Sequence, residues 1–110
     1  MDISVKNFDQ VKVLAISGDI DGKTAPQAQE TILAEMQPGS NILLDMSEVS
    51  YMSSAGLRVL LTTYRQAIQA QSKVMLVGLR EEIQDTMSAT GFLNFFEIQE
   101  SLQAGLQALQ

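Results

Sequence analysis

The 110-residue chain contains no cysteine and no histidine. The first absence removes any disulfide framework, thiolate nucleophile or cysteine-ligated metal site. The second removes the commonest general base and the commonest zinc ligand together. Basic residues are sparse: the seven are Lys6, Lys12, Lys23, Arg58, Arg65, Lys73 and Arg80, set against thirteen acidic residues for a net charge of −6. Nucleic-acid binding requires clustered positive charge that displaces counterions, and these residues are dispersed, so no nucleic-acid partner is expected. An acidic protein suits a basic partner surface instead. Long apolar runs are also missing. Met1–Lys6 has neither the basic segment nor the apolar stretch of a signal peptide, and no segment reaches membrane-spanning length. A cytoplasmic location without direct membrane insertion is therefore expected.

What is present resembles an ordinary folded domain, with 45% hydrophobic and 18% charged residues. That composition lacks the low-hydrophobicity signature of disorder. At this length one core is expected, occupying one domain over residues 1–110. Ile3 and Val5, then Val11–Ile16, are two apolar segments separated by Lys6–Gln10 and predict a hairpin, the second strand closing at Gly18. Thr24-Ala25-Pro26-Gln27 reads as a helix start, with Thr24 as cap, Gln27 at the reciprocal position and Pro26 in the first turn, where its missing N–H costs little. Ala28, Ile32 and Met36 continue that helix to Gln37, before Pro38-Gly39 breaks it.

Asn41–Asp45 has the apolar character of a buried strand. Leu57, Leu60, Leu61, Tyr64 and Ile68 then recur at one-face helical spacing and predict a helix over 55–71. Lys73–Val77 predicts another strand, Ile83 and Met87 mark a third helix stopped at Gly91, Phe95–Ile98 predicts a last strand, and Leu102, Leu106 and Leu109 stripe a terminal helix. Strand and helix alternate throughout. The predicted class is α/β: a mostly parallel sheet of four or five strands with an antiparallel N-terminal strand and about four helices. Loops leaving the carboxyl ends of parallel strands share one rim, where partners bind. Ser17–Lys23, Met46–Ser54 and Gly78–Arg80 are those loops, so Asp19, Asp21, Ser53, Ser54 and Arg80 are expected along one edge.

The loop before the second long helix, Asp45–Leu57, carries four serines between its flanking apolar residues. Ser53 or Ser54 is expected to cap the helix whatever the protein does. A hydrolytic role lacks a histidine and a Gly-x-Ser-x-Gly elbow, and pairing a serine with Lys23 competes with the plainer reading of Lys23 as a solvated turn residue. Asp19 with Asp21 or Asp45 could hold Mg²⁺ or exchange protons, yet no glycine-rich phosphate loop accompanies them, and turn or cap roles are the simpler reading. Phe92, Phe95 and Phe96 read as core and edge packing. No cofactor is expected.

The same loop closely resembles the signature of STAS domains, the family of bacterial anti-sigma factor antagonists. Asp45, Ser47, Val49, Tyr51, Met52, Ser54, Ala55, Gly56 and Leu57 follow the family pattern in order. Gly18-Asp19-Ile20-Asp21 followed by Thr24-Ala25-Pro26 is similar to the family's Gly-x-x-Asp loop and helix start. Element order and length extend the resemblance over essentially the whole chain. It implies that Ser54 is a phosphoacceptor and that Asp21 faces the same partner surface. Where the family usually has aspartate before the acceptor, this chain has Ser53, which leaves a second hydroxyl as alternative acceptor.

The resemblance further implies a non-enzymatic protein that binds an anti-sigma factor acting as a serine kinase, releases its sigma factor, and is switched off by phosphorylation and restored by a serine phosphatase. Asp19, Asp21, Ser53, Ser54, Gly56 and Arg80 are the expected partner-binding residues. A constitutive STAS subunit of a signalling or transporter assembly and a nucleotide-binding domain are the rival functions. No sustained exposed apolar stripe demands a dimer, so a monomer is expected.

Overall fold

Val11, Val13, Leu14 and Ile16 are buried, and the strand they form anchors the first hairpin. The computed structural model describes residues 1–109; Gln110, the last residue of the expected domain, lies outside the described residues. Strand β1 (Asp2–Phe8) pairs antiparallel with β2 (Val11–Ser17), in a register that sets Phe8 opposite Val11. The connection predicted over Lys6–Gln10 is therefore only Asp9-Gln10. Asp9 turns in the left-handed region at φ 55°, which lets Lys6, Asn7 and Phe8 remain in the ladder.

After the hairpin every pairing is parallel, and the sheet runs β1-β2-β3-β4-β5, with β3 at Asn41–Glu48, β4 at Lys73–Val77 and β5 at Glu97–Gln99. The crossovers are helices α1 (Ala25–Ala34), α2 (Ser54–Ala70) and α3 (Glu81–Thr90); α4 (Leu102–Ala108) follows the last strand. The predicted class and strand arrangement are as observed.

Alternation along the strands separates two cores. Leu14, Ile16, Ile42, Leu44, Met46 and Leu76 join Ile32, Leu60 and Met87 in the main cluster, whereas Val11, Val13, Leu43, Met75 and Val77 meet Leu102, Leu106 and Leu109 on the opposite face.

Several local expectations are corrected. Helix α1 ends at Ala34 rather than Gln37. Its last bonds tighten to Glu35 N–H→Ile32 C=O and Met36 N–H→Leu33 C=O, and Gln37 precedes Pro38, a position that disfavours helical backbone. Helix α2 presents Gly56, Val59, Leu60, Thr63 and Ala67 to the interior, so the stripe predicted through Ile68 is rotated, and Ile68 is 60% exposed. Small residues along the inner line leave the larger ones on its flanks. Thr63, a buried polar residue, satisfies its hydroxyl by donating to Val59 C=O at 2.8 Å.

Phe92–Phe95 forms a 3₁₀ turn instead of opening the last strand. Tyr64 stacks on Phe95 with ring centroids 5.0 Å apart and meets the Phe96 edge at 5.8 Å, and this packing outweighs the strand preference of the aromatic pair.

The rotated stripe is tested within one helix. Leu60→Ala is expected to cost ~2–5 kcal/mol and Ile68→Ala no more than ~0.5 kcal/mol, measured by urea unfolding.

Candidate functional site

The β2–β3 ladder does not stop where the regular strands end. Its register shifts between Ala15 and Ser17, Ser17 pairs with Glu48, and Gly18 N–H reaches Glu48 C=O at 3.1 Å. Gly18 takes φ 103°, a conformation open to glycine because it has no Cβ. Beyond it Ile20 and Met52 form an isolated parallel bridge: Ile20 N–H donates to Tyr51 C=O at 3.0 Å and Ser53 N–H to Ile20 C=O at 2.9 Å. Ile20, Val49 and Met52 are buried, so the two loops are pinned from below by apolar side chains and between them by backbone. Ser50 Oγ donates to Asp19 Oδ1 at 3.0 Å across the top.

This bridge delivers the chain directly into α2. Ser53 is the cap: its extended backbone (φ −80°, ψ −179°) allows Oγ to accept from Ala55 N–H at 3.2 Å, and its carbonyl accepts from Leu57 N–H at 3.0 Å. Ser54 is the first helical residue, is exposed, and makes no side-chain hydrogen bond among the described residues. The two adjacent hydroxyls thus occupy different environments, one held by the helix end and one free in solvent.

Gly56 is buried and offers no surface to a partner, contrary to its expected place among partner-binding residues. A Cβ there would collide with Met52 Cγ and come within 2.7 Å of Ile20 C=O. Its bareness lets α2 seat against the bridge.

Asp21 occupies the turn before α1. Its Oδ1 accepts from Lys23 N–H at 2.9 Å and Thr24 N–H at 3.1 Å, and Ala25 N–H bonds its carbonyl at 2.8 Å. Thr24, predicted to cap this helix in a box with Gln27, has helical backbone and makes no cap bond; its hydroxyl accepts from Asp21 N–H at 2.9 Å and donates to Asp19 C=O at 2.8 Å. Asp21 takes the capping role because one further helical turn precedes Ala25. The backbone N–H of Thr24, then that of Lys23, holds its carboxyl below the ordinary value.

Arg80, from the third loop, donates Nε to Ser47 C=O at 3.2 Å, and Asp45 Oδ1 accepts from Ser47 N–H at 3.0 Å. Asp19, Asp21, Ser53 and Ser54 are brought to the joined first two loops, whereas Arg80 is attached at the Ser47 end of β3. Among the described residues no group of three or more carboxylates is placed to hold a metal ion.

Two residues were not among the expected site residues. Ser50 ties the loops through Asp19, and Tyr51, 55% exposed, borders a recess of about 170 Å³ with Ser50, Met52, Glu82, Ile83 and Thr86. An aromatic residue inside a polar loop was the available signal for Tyr51; Ser50 carried none.

The STAS domain family model matches residues 2–105. The anti-sigma-B factor antagonist of Listeria monocytogenes is 30% identical over 99 residues, covering 89% of this chain and 86% of that protein. The crystal structure of an anti-sigma factor antagonist from Mycobacterium paratuberculosis superposes with a TM-score of 0.87 at 27% identity, covering 97% of this chain and 92% of the other. The anti-sigma factor antagonist SpoIIAA of Bacillus in its unphosphorylated form shares the fold at a TM-score of 0.80 and 14% identity, covering 98% and 96% of the two chains, and SpoIIAA is also solved in its phosphorylated form.

Gly56→Ala is expected to destabilise by ~1–3 kcal/mol despite the better helix propensity of alanine, because the obstructing Ile20 carbonyl is fixed backbone; urea unfolding measures it. For Asp21 the folded carboxyl titrates below its ordinary value of 3.8, so its contribution is fully present above that value and is lost as pH falls through the lower folded one. The stability gap between wild type and Asp21→Ala, measured by thermal unfolding across pH, is therefore expected to be constant near neutrality and to narrow in acid.

Proposed function

The chain belongs to the STAS domain family, among the anti-sigma factor antagonists, and from that membership we propose that it binds an anti-sigma factor that is also a serine protein kinase, and that phosphorylation of Ser54 turns this binding off. In the unphosphorylated state the rim carrying Asp19, Asp21 and Ser54 docks on the kinase, displaces the sigma factor it holds, and so regulates transcription by competition. A serine phosphatase restores the active form. The protein itself catalyses nothing and works in the cytoplasm.

The observation that carries this reading is the contrast between the two serines. Ser53 Oγ is engaged at the helix end, and Ser54 Oγ stands exposed beside it. An acceptor must enter a kinase active site, and a free hydroxyl on a preformed turn can do so without dismantling the cap.

Magnitudes favour loss of binding over loss of fold. A phosphoryl group adds ~1.5–2 negative charges at neutral pH. At the N-terminus of α2 an anion is favoured by ~0.3–1 kcal/mol, so the modified domain stays folded. At the docked surface, a like-charge contact or an unpaired, desolvated charge costs several kcal/mol. Binding is therefore lost while the scaffold persists. Arg80, fixed to the end of β3 by its bond to Ser47, contributes at the periphery of the same surface.

The test is a pull-down from native cytosol with wild type, Ser54→Ala and Ser54→Asp, with phosphosite mapping. Wild type and Ser54→Ala are expected to retain a serine kinase, Ser54→Ala to take up no phosphate, and Ser54→Asp to lose the kinase with a melting temperature within a few degrees of wild type. Ser53→Ala is expected to remain a substrate while losing ~0.5–2 kcal/mol of stability with its cap. Phosphate mapped to Ser53, or a stoichiometric complex indifferent to Ser54→Asp, would overturn the proposal.

A further inference from the structure

The outer edge of β1 is a second surface, independent of the phosphorylation reading. Among the described residues β1 ends the sheet and pairs on one side only, with β2. It is seven residues long, against three for β5 at the other edge. A strand of that length with an open row of backbone donors and acceptors is a template for another strand. Asp2, Ser4 and Lys6 lie on the face that α4 covers, since Lys6 pairs with Val13 of the smaller core; Ile3 and Val5 lie on the opposite face, paired with Ile16 and Leu14 of the main core. Ile3 is half-buried and Val5 is 38% exposed.

We propose that β1 pairs antiparallel with β1 of a second copy, centred on Ser4, to make a continuous ten-stranded sheet across a two-fold axis. The charges select the occupant and the register. Centring on Ser4 places Asp2 opposite the second copy's Lys6 twice, Ile3 opposite its Val5 twice, and Ser4 opposite itself. Centring on Val5 sets Asp2 against Phe8, and centring on Lys6 opposes two ammonium groups. Opposite charges and apolar pairs stabilise facing strands, and like charges destabilise them.

A lysine in an edge strand ordinarily deters pairing. Here Asp2, four residues earlier on the same face, is its complement when the strand meets itself reversed.

The helices leave room for the assembly. Each α1 is tied over its own β2 by Lys12 Nζ, which lies 3.5 Å from Glu35 Oε1. In the paired sheet the two β2 strands stand three spacings apart, about 14 Å, wider than a helix of about 10 Å diameter. Ile3 and Val5 of both copies line the furrow between them. A five-residue ladder is smaller than a standard stable interface, so the dimer is weak and concentration-dependent, in place of the monomer expected from the lack of a sustained exposed apolar stripe.

Sedimentation equilibrium at low salt, from micromolar to millimolar protein, tests this. Wild type is expected to pass from monomer to dimer. Lys6→Asp, whose exposed position leaves the fold intact by circular dichroism, is expected to raise the dissociation constant at least ~10-fold. The swapped variant Asp2→Lys/Lys6→Asp is expected to restore dimerisation. A wild type that stays monomeric throughout, a dimer unaffected by Lys6→Asp, or a swapped variant that fails to recover would each overturn the proposal.

Discussion

The parallel bridge between Ile20 and Met52 organises the functional end of this protein. Two backbone hydrogen bonds, at 3.0 and 2.9 Å, extend the β2–β3 pairing past the last regular strand residues and bind two loops that are separated in sequence. Everything on the rim is positioned from there. The bridge ends at Ser53, whose backbone donates to Ile20 and whose side chain begins α2. Gly56 is buried one turn later because Ile20 and Met52 occupy the space a side chain would need. Asp21 follows Ile20 directly and starts the turn into α1 through its own carboxylate. Two helices thus take their starting points from one pair of apolar residues.

Such a rim is suited to signalling by charge. A flexible loop would have to be ordered on binding, at a cost in conformational entropy that weakens any docking it supports. Here the N–H groups of Ile20 and Ser53 are already paired across the two loops, and Ile20, Val49 and Met52 are already buried. In the proposed switch, the variable is what Ser54 carries. Division of labour between adjacent hydroxyls makes this possible: Ser53 satisfies the helix end, and Ser54, one residue on, faces solvent. Because the helix terminus tolerates an anion, a change of charge at Ser54 alters the surface presented to a partner more than the structure beneath it.

Much of the architecture was legible because its signals are local. Apolar runs marked the central strands, Gly91 marked the end of α3, and alternation of strand with helix marked parallel pairing. The three loops could be assigned to one rim from topology alone. Contacts that depend on three-dimensional competition were less accessible. Thr24 has the chemistry of a cap, but a further turn forms ahead of it, and Asp21 caps that turn through the N–H groups of Lys23 and Thr24. Ile68 fits the apolar spacing of α2, yet the small residues at 56, 63 and 67 bring a different line against the sheet. Phe95 favours a strand in isolation and stacks on Tyr64 in the fold. The site was reached through the resemblance of its loop, whereas the tie from Ser50 to Asp19 is a contact between residues 31 positions apart that no local pattern announces.

The central claim is that modification changes the charge of a fixed rim without rebuilding it. Amide hydrogen exchange at Ile20 and Ser53, measured by NMR on the unmodified protein and on protein phosphorylated at Ser54, tests it most directly when partner affinity is measured on the same samples. The expected result is equal protection of both amides in the two forms, with affinity for the kinase lost in the second. Loss of protection at those amides on phosphorylation, or retained affinity with protection unchanged, would contradict the account.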